Sequence, residues 1–398
     1  MAKTKDKKTK KPWNAKLFVA KLLIFMVLVV AVGVGARWSS QIERGINFLI
    51  HNDGGTAVIM DDGLTVHFID VGQADAIAID LPDDGGVIMV DSGSKSTAKL
   101  NEYLSTYIFK NGRDKTFEHF ILTHSDADHV GGAKWMFTNN YTAKNFHRPK
   151  SFVQDEITKI STGQPVSGRT FPAGTYTLHN TVGYNDYIKL MNQQVSAGAS
   201  VSFNEVGKVI TEGLVTITFY GPHEDNYGGS IAHRINTLSP IKVLEYKGKR
   251  IMLTGDATKE NEDELNYSLI GKVDVLKVAH HGGNTSSSKN FLDNVVSVST
   301  YAVISVGNNK YGHPHPKVIE RLEAAGIASN KIYSTLDNGN IIVTVGLTSG
   351  GTVALAVASG VPNEVFWVTY WQMALVLVLT VFTALFTNEI IRLSRRKK

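Results

Sequence analysis

One short segment limits the fold of this chain more than any other feature. A buried strand ending at 120–122 runs directly into a loop, 123–129, that reads Thr-His-Ser-Asp-Ala-Asp-His. Positions i, i+2 and i+4 of an extended loop face one way, so His124, Asp126 and Asp128 converge, and His129 adds a fourth group. Imidazole nitrogen and carboxylate oxygen are ligands of zinc, manganese and iron. The loop predicts a metal site; the alternative is a polar turn with two surface histidines.

Two later segments have the same form, an apolar strand that ends in potential ligands. Asp256 follows the strand at 251–255, and His280 and His281 follow the strand at 275–279. Each alone is a weak signal, since a terminal aspartate is often a helix cap and a histidine pair can be a solvated turn. Together with the first loop they place ligands at the carboxyl ends of strands, where open sites form in α/β folds.

The order of predicted elements indicates the fold class. Strands precede helices twice along the chain, which favours an α/β fold with two sheets and helices outside. The predicted strands are 64–71, 74–80, 87–90, 118–123, 214–220, 241–246, 250–254, 273–278, 301–306 and 341–345, and the predicted helices are 99–109, 131–137, 186–195, 259–269 and 318–325. Residues 140–210 are otherwise irregular in pattern.

Several motifs, in one order along 64–345, carry a family resemblance. They are 67–76 (His-Phe-Ile-Asp-Val-Gly-Gln-Ala-Asp-Ala), Asp91-Ser92-Gly93, the loop 123–129, Thr254-Gly255-Asp256, His280-His281-Gly282 with 285–288, and 305–308 with Tyr311-Gly312-His313-Pro314. With them the chain resembles the metallo-β-lactamase fold and, more narrowly, the metallo-hydrolase domain of the ComEC competence proteins. It departs from that pattern at Ala74 and Gly283, neither of which is a ligand.

The resemblance implies a four-layer αββα sandwich that holds two divalent ions, Zn²⁺ or Mn²⁺. Asp256 would bridge the ions. The first ion would be held by His124, Asp126 and His280, and the second by Asp128, His129 and His281. A further histidine before the bridging aspartate is common in the superfamily, and His223 and His233 are the candidates weighed for that position. Asp126, where most of the superfamily has histidine, is a harder ligand and favours manganese, with zinc still a candidate.

The resemblance also implies roles around the ions. Asp128 and His313 are the predicted catalytic residues, and His313 would stabilise phosphoryl oxygens or protonate the leaving group. Asp75 and Asp91 are predicted to orient the ligands. Ser286 and Ser287 are predicted to bind substrate phosphate. The alternatives are ordinary turn carboxylates, a surface histidine and a helix cap.

Two apolar segments predict the placement of the chain. Residues 17–37 and 365–387 each have the length of about 20 residues that a helix needs to cross a bilayer. Basic tails flank them at 1–16 and 388–398. We expect two transmembrane helices in the cell membrane, both termini cytoplasmic, a linker at 38–60 and an extracytoplasmic hydrolase domain at 61–360. The alternatives are a cleaved signal peptide for the first segment and a buried core helix for the second.

Charge and cysteine content exclude some classes of function. The net charge of +5 belongs to the tails, because residues 17–387 hold 29 basic and 34 acidic residues. Charge therefore gives no support for a nucleic-acid-binding body. Zero cysteines exclude disulfides, thiolate zinc sites and cysteine nucleophiles.

These features lead to one functional hypothesis and its alternatives. We expect a membrane-anchored phosphodiesterase of ComEC-like nuclease type, acting on a phosphodiester such as single-stranded DNA by a hydroxide that two metals activate. The alternative is a cell-envelope phosphodiester hydrolase acting on phosphorylcholine or teichoic-acid polymer. Hydrolysis of β-lactams or lactones and a non-enzymatic binding module are weaker options. Protein partners are unknown.

Overall fold

A computed structural model describes residues 19, 21–27, 63–110, 112–172, 174–223, 228–348, 351–359, 378, 381–383 and 385–387. The chain divides into two compact units, one formed by Met1–Asn52 with Asn363–Lys398 and the other by Asp53–Pro362. The candidate ligands all lie in the second unit. The predicted domain boundaries remain a prediction.

The localisation predicted from sequence is wrong in this structure. Within the described part of the chain, no helix has both the length and the apolar character needed to cross a bilayer. Most of 17–37 and 365–387 lies outside the described residues.

The first sheet of the second unit has eight strands. They are β1 (Leu64–Phe68), β2 (Ile77–Asp80), β3 (Val87–Val90), β4 (Thr116–Ile121), β5 (Thr142–Arg148), β8 (Ser200–Phe203), β16 (Ile341–Leu347) and β17 (Val353–Ser359). Their order is β17-β16-β1-β2-β3-β4-β5-β8. Pairing is antiparallel from β17 to β3 and parallel from β3 to β8. The carboxyl ends of β3, β4 and β5 therefore meet at one edge.

The second sheet has seven strands and repeats this plan. They are β9 (Val209–Glu212), β10 (Val215–Phe219), β11 (Lys242–Tyr246), β12 (Lys249–Leu253), β13 (Val275–Lys277), β14 (Tyr301–Ile304) and β15 (Ile332–Ser334), in the order β15-β14-β13-β12-β11-β10-β9. Pairing is antiparallel from β9 to β12 and parallel from β12 to β15. A small parallel pair, β6 (Ser151–Phe152) and β7 (Thr177–Leu178), stands apart.

Eleven α-helices are described in the second unit. They are α1 (Ala98–Tyr103), α2 (Ala127–Val130), α3 (Ala133–Thr138), α4 (Gln154–Ser161), α5 (Val182–Ser196), α6 (Ile231–Asn236), α7 (Lys259–Asp263), α8 (Tyr267–Ile270), α9 (Lys289–Val295), α10 (Pro316–Ala324) and α11 (Thr335–Asn338). A π-helix at Leu104–Ile108 extends α1, and 3₁₀ turns lie at Ala279–Gly282 and Ser329–Lys331.

The layers follow from the alternation of side chains along each strand. In β3, Ile88 and Val90 join the core between the two sheets, whereas Val87 and Met89 face the core under α1, α3 and α5. On the second sheet, Leu276 joins a third core under α8, α9 and α10. The architecture is therefore helices, sheet, sheet and helices, as the sequence predicts.

Candidate metal centre

The loop after β4 carries two of the candidate ligands into the protein. Asp126 is the N-cap of α2, with an extended backbone at φ −70° and ψ 153°, so the helix begins only after the loop has passed the site. His124 and His129 are fully buried, and their ring centroids are 4.0 Å apart. The six residues 124–129 thus lead from the end of β4 into α2 and place the side chains of His124 and His129 in the same buried region.

Asp256, after β12, meets both of these imidazoles. Its Oδ1 lies 3.3 Å from Nε2 of His129, and its Oδ2 lies 3.9 Å from Nε2 of His124. Nε2 of His124 is also 3.8 Å from Oδ2 of Asp126. Two donors bound to one tetrahedral ion at about 2.1 Å stand about 3.4 Å apart, so these spacings suit a shared metal.

A second group forms beside the first and shares Asp256 with it. Nε2 of His281 lies 3.4 Å from Oδ2 of Asp128 and 3.6 Å from Oδ2 of Asp256. Ligand atoms of Asp128, His129 and His281 lie within 4.8 Å of one another, as do those of His124, His129 and Asp256. The structure therefore brings His129 close to both groups, whereas the sequence prediction gave it to the second ion alone.

His280 and His281 occupy an unusual turn after β13. Both have left-handed backbones, at φ 52° and ψ 46° and at φ 52° and ψ 24°. Left-handed conformation costs roughly 1–2 kcal/mol for an ordinary residue. The turn directs Nε2 of His280 to 3.7 Å from Oδ2 of Asp256, and its side chain remains 24% exposed whereas that of His281 is 2% exposed. His280 thus lies at the open side of the site.

The buried polar atoms test whether the site fits metal ions. Nε2 of His124, His129 and His281 and Oδ1 of Asp256 are buried without a hydrogen-bond partner among the described residues. Buried polar atoms in proteins are nearly always hydrogen-bonded or bound to an ion. All four point into the same cluster of imidazoles and carboxylates, which is the donor set of zinc and manganese. The residues fit divalent metals.

The charges of the cluster perturb its pKa values. Burial opposes the charged form of His281, but Asp256, Asp128 and Asp75 outweigh burial and raise the pKa of His281 to about 10. Burial and then the negative charge of Asp128 raise the pKa of Asp126 to about 7. Metal ligands must be deprotonated, so loading this site releases protons.

Asp91 orients His129 from behind. Oδ2 of Asp91 accepts a hydrogen bond from Nδ1 of His129 at 2.8 Å, while Thr123 donates its backbone N–H to Oδ1 and its hydroxyl to Oδ2, both at 2.7 Å. A proton held on Nδ1 leaves Nε2 free to bind a metal. This hydrogen bond is the contact that an orienting role for Asp91 requires, and the role itself remains a prediction.

Asp75 lies behind His281 and is itself paired with a lysine, but the Nδ1 proton of His281 goes to a backbone oxygen. Its Oδ1 lies 3.4 Å from Nδ1 of His281, which donates to the backbone oxygen of Ser305 at 2.8 Å. Oδ2 of Asp75 lies 2.9 Å from Nζ of Lys277, in β13. Lys277 was not singled out from the sequence, because a lysine inside an apolar strand gives no sign of its partner.

His179, just after β7, is a candidate ligand that sequence reasoning missed. Its Nε2 lies 3.9 Å from Oδ1 of Asp126, and its Nδ1 contacts the hydroxyl of Ser125 at 2.6 Å. Ser239 is a second missed contact, with its hydroxyl 3.2 Å from Nδ1 of His124. A lone histidine in an irregular segment offered no signal that would have found His179.

The two histidines weighed for the additional position do not join the cluster in the described contacts. Nε2 of His233, in α6, lies 3.6 Å from Oε1 of Glu260 instead. For His223, the described part of the chain shows no hydrogen bond or ion pair with a candidate ligand. His179 is therefore the better candidate for that position.

His313 lies at the open side of the cluster. Its ring centroid is 5.4 Å from that of His280, and Nδ1 is buried without a described partner. Burial and then the neighbouring His280 lower the pKa of His313 to about 4, so the ring is neutral at pH 7.

Ser286 and Ser287 are buried, 2% and 0% exposed. Their backbones are held by Arg321, whose Nε and Nη2 donate to the two carbonyl oxygens at 2.8 and 2.9 Å, and by Glu262, which accepts the N–H of Ser287 at 2.5 Å. These contacts shape the loop beside His280. Substrate binding by the two serines remains a prediction.

Comparison with known proteins gives a family context for this geometry. The profile of the Metallo-beta-lactamase superfamily matches residues 69–149, which include Asp75, Asp91 and the loop 123–129. ComE operon protein 3 of Bacillus subtilis is 26% identical over 291 residues, covering 69% of this chain and 32% of that protein. Recombination protein 2 of Haemophilus influenzae is 27% identical over 263 residues, covering 65% and 26%.

The resemblance to the metallo-β-lactamase fold and to competence proteins is thereby confirmed. The chain spans about a third or less of the length of these two relatives. Among solved structures, one match is the metallo-beta-lactamase fold protein YhfI from Bacillus subtilis. The superposition covers 70% of this chain and 99% of YhfI, at 11% sequence identity and a TM-score of 0.38. A likeness this low supports no argument about function.

Proposed function

We propose that this chain is a metal-dependent phosphodiesterase that cleaves single-stranded DNA. One observation carries the proposal. Asp256 lies between two groups of ligands, with its Oδ2 3.9 Å from Nε2 of His124 in one group and 3.6 Å from Nε2 of His281 in the other. A carboxylate shared in this way suits two ions rather than one, and paired ions are typical of enzymes that cleave phosphodiesters. The similarity to competence proteins supports DNA as the substrate.

The residues divide into two sets around Asp256. His124, Asp126 and His179 would hold one ion, and Asp128, His129 and His281 the other, with His280 at the open edge. When bound, two divalent ions lower the pKa of water toward neutrality and offset the negative charge of a phosphodiester. Zinc and manganese both suit this mixed set of imidazoles and carboxylates.

The chain's own residues would position and polarise the substrate. His313 is neutral at pH 7, because its pKa is lowered to about 4. A neutral imidazole can donate one hydrogen bond but is not a ready proton donor. We therefore assign His313 the role of hydrogen-bond donor to a phosphoryl oxygen, rather than that of the acid that protonates the leaving group. Asp128, which lies 3.4 Å from His281, would keep that imidazole in place during turnover.

The test uses the full-length chain beside Asp256→Asn and Asp128→Ala. End-labelled single-stranded DNA is followed on a denaturing gel with Mn²⁺ and then with Zn²⁺, and bound metal is measured by mass spectrometry. We expect cleavage by the parent with about two ions per chain, and a loss of at least about 100-fold in both variants. Asp84→Asn, a change of an exposed turn residue, is the matched control and should retain full activity.

The result that would overturn the proposal is specific. A folded parent that binds two metals and leaves DNA intact would exclude nuclease activity. The same protein is then tested on phosphorylcholine-bearing polymer, and hydrolysis there would establish the cell-envelope alternative.

A further inference from the structure

Tyr311 presents a large aromatic ring to solvent beside the metal centre. The residue is 64% exposed and lies in the loop between β14 and α10. Nζ of Lys310 is 5.8 Å from the centroid of the ring. Single exposed apolar side chains are common on proteins, so exposure alone indicates little. The contacts of Tyr311 distinguish it.

A row of rings connects Tyr311 with the bridging carboxylate. The centroid of Tyr311 is 5.8 Å from that of His313 at an interplanar angle of 34°, and His313 is 5.4 Å from His280. Nε2 of His280 is in turn 3.7 Å from Oδ2 of Asp256. The rings of His313 and His280 therefore form a continuous path between Tyr311 and Asp256.

Asn309 holds this loop in one conformation. Its Oδ1 accepts the backbone N–H of Tyr311 at 3.0 Å and that of His313 at 3.1 Å. Its Nδ2 donates to the backbone oxygens of Gly307 at 2.8 Å and His313 at 2.7 Å. Four hydrogen bonds from one side chain order the loop before any substrate binds, which reduces the entropy lost on binding.

The base of the loop is packed against the loop after β1. Gly307 donates its N–H to Oε1 of Gln73 at 3.2 Å. A Cβ at Gly307 would lie 2.4 Å from the carbonyl carbon of Gly72, so the two backbones touch. The loop that carries Tyr311 is thus held against the loop that follows β1 of the first sheet.

We propose that Tyr311 and Lys310 form a binding site for single-stranded nucleic acid beside the metal centre. The ring of Tyr311 stacks on a base beside the scissile phosphodiester, and the ammonium of Lys310 contacts a neighbouring phosphate. Base stacking on exposed aromatics, together with nearby cations, is how proteins bind single strands without reading their sequence. The inference rests on the proposed function and names the part of the substrate that lies outside the metal centre.

The charge of Lys310 decides between two possible occupants of the ring. An aromatic face also binds quaternary ammonium groups such as choline, through cation–π attraction. An ammonium already 5.8 Å from the centroid of Tyr311 repels a second cation and attracts a phosphate. The pair therefore favours a polyanion with flat bases over a choline-bearing polymer.

The experiment compares four substrates in the full-length chain. They are a single-stranded oligonucleotide, the same oligonucleotide with abasic positions around one phosphate, methyl p-nitrophenyl phosphate, and a phosphorylcholine-bearing polymer. The small diester reports on the metal centre alone, and the abasic strand keeps the phosphates but lacks the stacking base. The variants are Tyr311→Ala, Tyr311→Trp and Lys310→Ala, with Lys189→Ala, an exposed lysine on α5, as the control.

The expected results separate stacking from charge. Tyr311→Ala should lower kcat/KM for the base-bearing strand by about 5- to 150-fold, with little change for the abasic strand or the small diester. Tyr311→Trp should retain the parent value. Lys310→Ala should lower the slope of log KM against log salt by about 0.7, the share of one phosphate contact to a single strand. Lys189→Ala should change none of these.

The outcomes that overturn the inference differ from those that overturn the proposed function. Equal loss on base-bearing and abasic strands in Tyr311→Ala, or no loss on either, excludes stacking. Activity of the parent on the small diester and on choline polymer, but not on oligonucleotides, excludes the proposed nuclease function and the inference together, and leaves a metal-dependent diesterase of another specificity. A metal-loaded parent that is inactive on all four substrates excludes the proposed function itself.

Discussion

Lys277 and Asp75 form an ion pair in the interior of the protein. Nζ of Lys277 lies 2.9 Å from Oδ2 of Asp75, and their side chains are 0% and 1% exposed. A second lysine, Lys242, is also fully buried, and Nζ has no hydrogen-bond partner among the described residues. Burial, opposed by Asp91 and Asp75, lowers the pKa of Lys242 to about 8. Positive charge beneath the candidate centre thus offsets the negative charge of the buried carboxylates Asp75 and Asp91.

Removal of the buried cation should destabilise the fold. Lys277→Met leaves Asp75 buried without its partner, which we expect to lower the free energy of unfolding by about 3–5 kcal/mol. Chemical denaturation of the metal-free protein measures the change. Lys249→Met is the control, since its pair with Asp274 is 31% and 28% exposed and is worth less than about 1 kcal/mol. Equal losses in the two variants would refute a special role for the buried pair.

His179 should contribute to metal affinity. We expect His179→Ala to lower the affinity for one of the two ions by at least about tenfold, because Nε2 of His179 lies 3.9 Å from Oδ1 of Asp126. Titration with Mn²⁺ or Zn²⁺ by calorimetry resolves the two sites. His233→Ala, which removes a histidine paired with Glu260, should leave both affinities unchanged. Two unaltered sites in His179→Ala would show that this histidine is no ligand.

Gly132 should not tolerate a methyl group. A Cβ at this position would lie 2.1 Å from the backbone oxygen of Ser92. Gly132→Ala must push α3 away from the loop that carries Asp91, at a cost of about 1–3 kcal/mol in thermal or chemical unfolding. Gly183→Ala, in α5, has its nearest neighbour at 4.0 Å and should be neutral or stabilising by up to about 1 kcal/mol. A Gly132→Ala protein of parental stability would contradict this packing.

His67 should make the fold sensitive to acid. Burial and then the charge of Lys110 lower the pKa of His67 from 6.5 to about 3. In the unfolded chain His67 binds a proton below about pH 6.5, whereas in the folded protein it does so only below about pH 3. The contribution of the neutral His67 to the free energy of unfolding is therefore complete at pH 7 and is lost as the pH falls from about 6.5 to about 3.

At pH 5 the loss attributable to His67 is about 2 kcal/mol. Denaturation of parent and His67→Gln at pH 7.5 and pH 5, both with chelator, measures it as the difference between their pH effects. The same pH effect in both proteins would rule out His67 as the source.

The part of the site that sequence patterns predicted consists of ligands at strand ends. Asp256 follows β12 and the pair His280–His281 follows β13, because short apolar strands are recognisable and their carboxyl ends share an edge. His179 escaped prediction since β7 has only two residues and no periodicity. Its position depends on its own N–H, which donates to the backbone oxygen of Phe152 at 2.9 Å. Contacts of that kind have no signature in a linear pattern.

Element boundaries show the same limit. The predicted helix at 186–195 is α5, which starts earlier, at Val182, where the hydroxyl of Thr181 caps it by accepting the N–H of Tyr184. The predicted helix at 259–269 is divided into α7 and α8. Apolar spacing marked the buried face in both cases, but tertiary contacts and caps decided where each helix begins and ends.

The repeated plan of the two sheets has a consequence for how the protein acquires its metals. During synthesis, His124, Asp126, Asp128 and His129 leave the ribosome with strands β1 to β5 of the first sheet, before Asp256 and His281 arrive on the second. The early half thus holds an incomplete set of donors, and the carboxylate common to both groups comes from the late half. Full loading of the proposed centre would therefore report that the two halves that carry the ligands have docked.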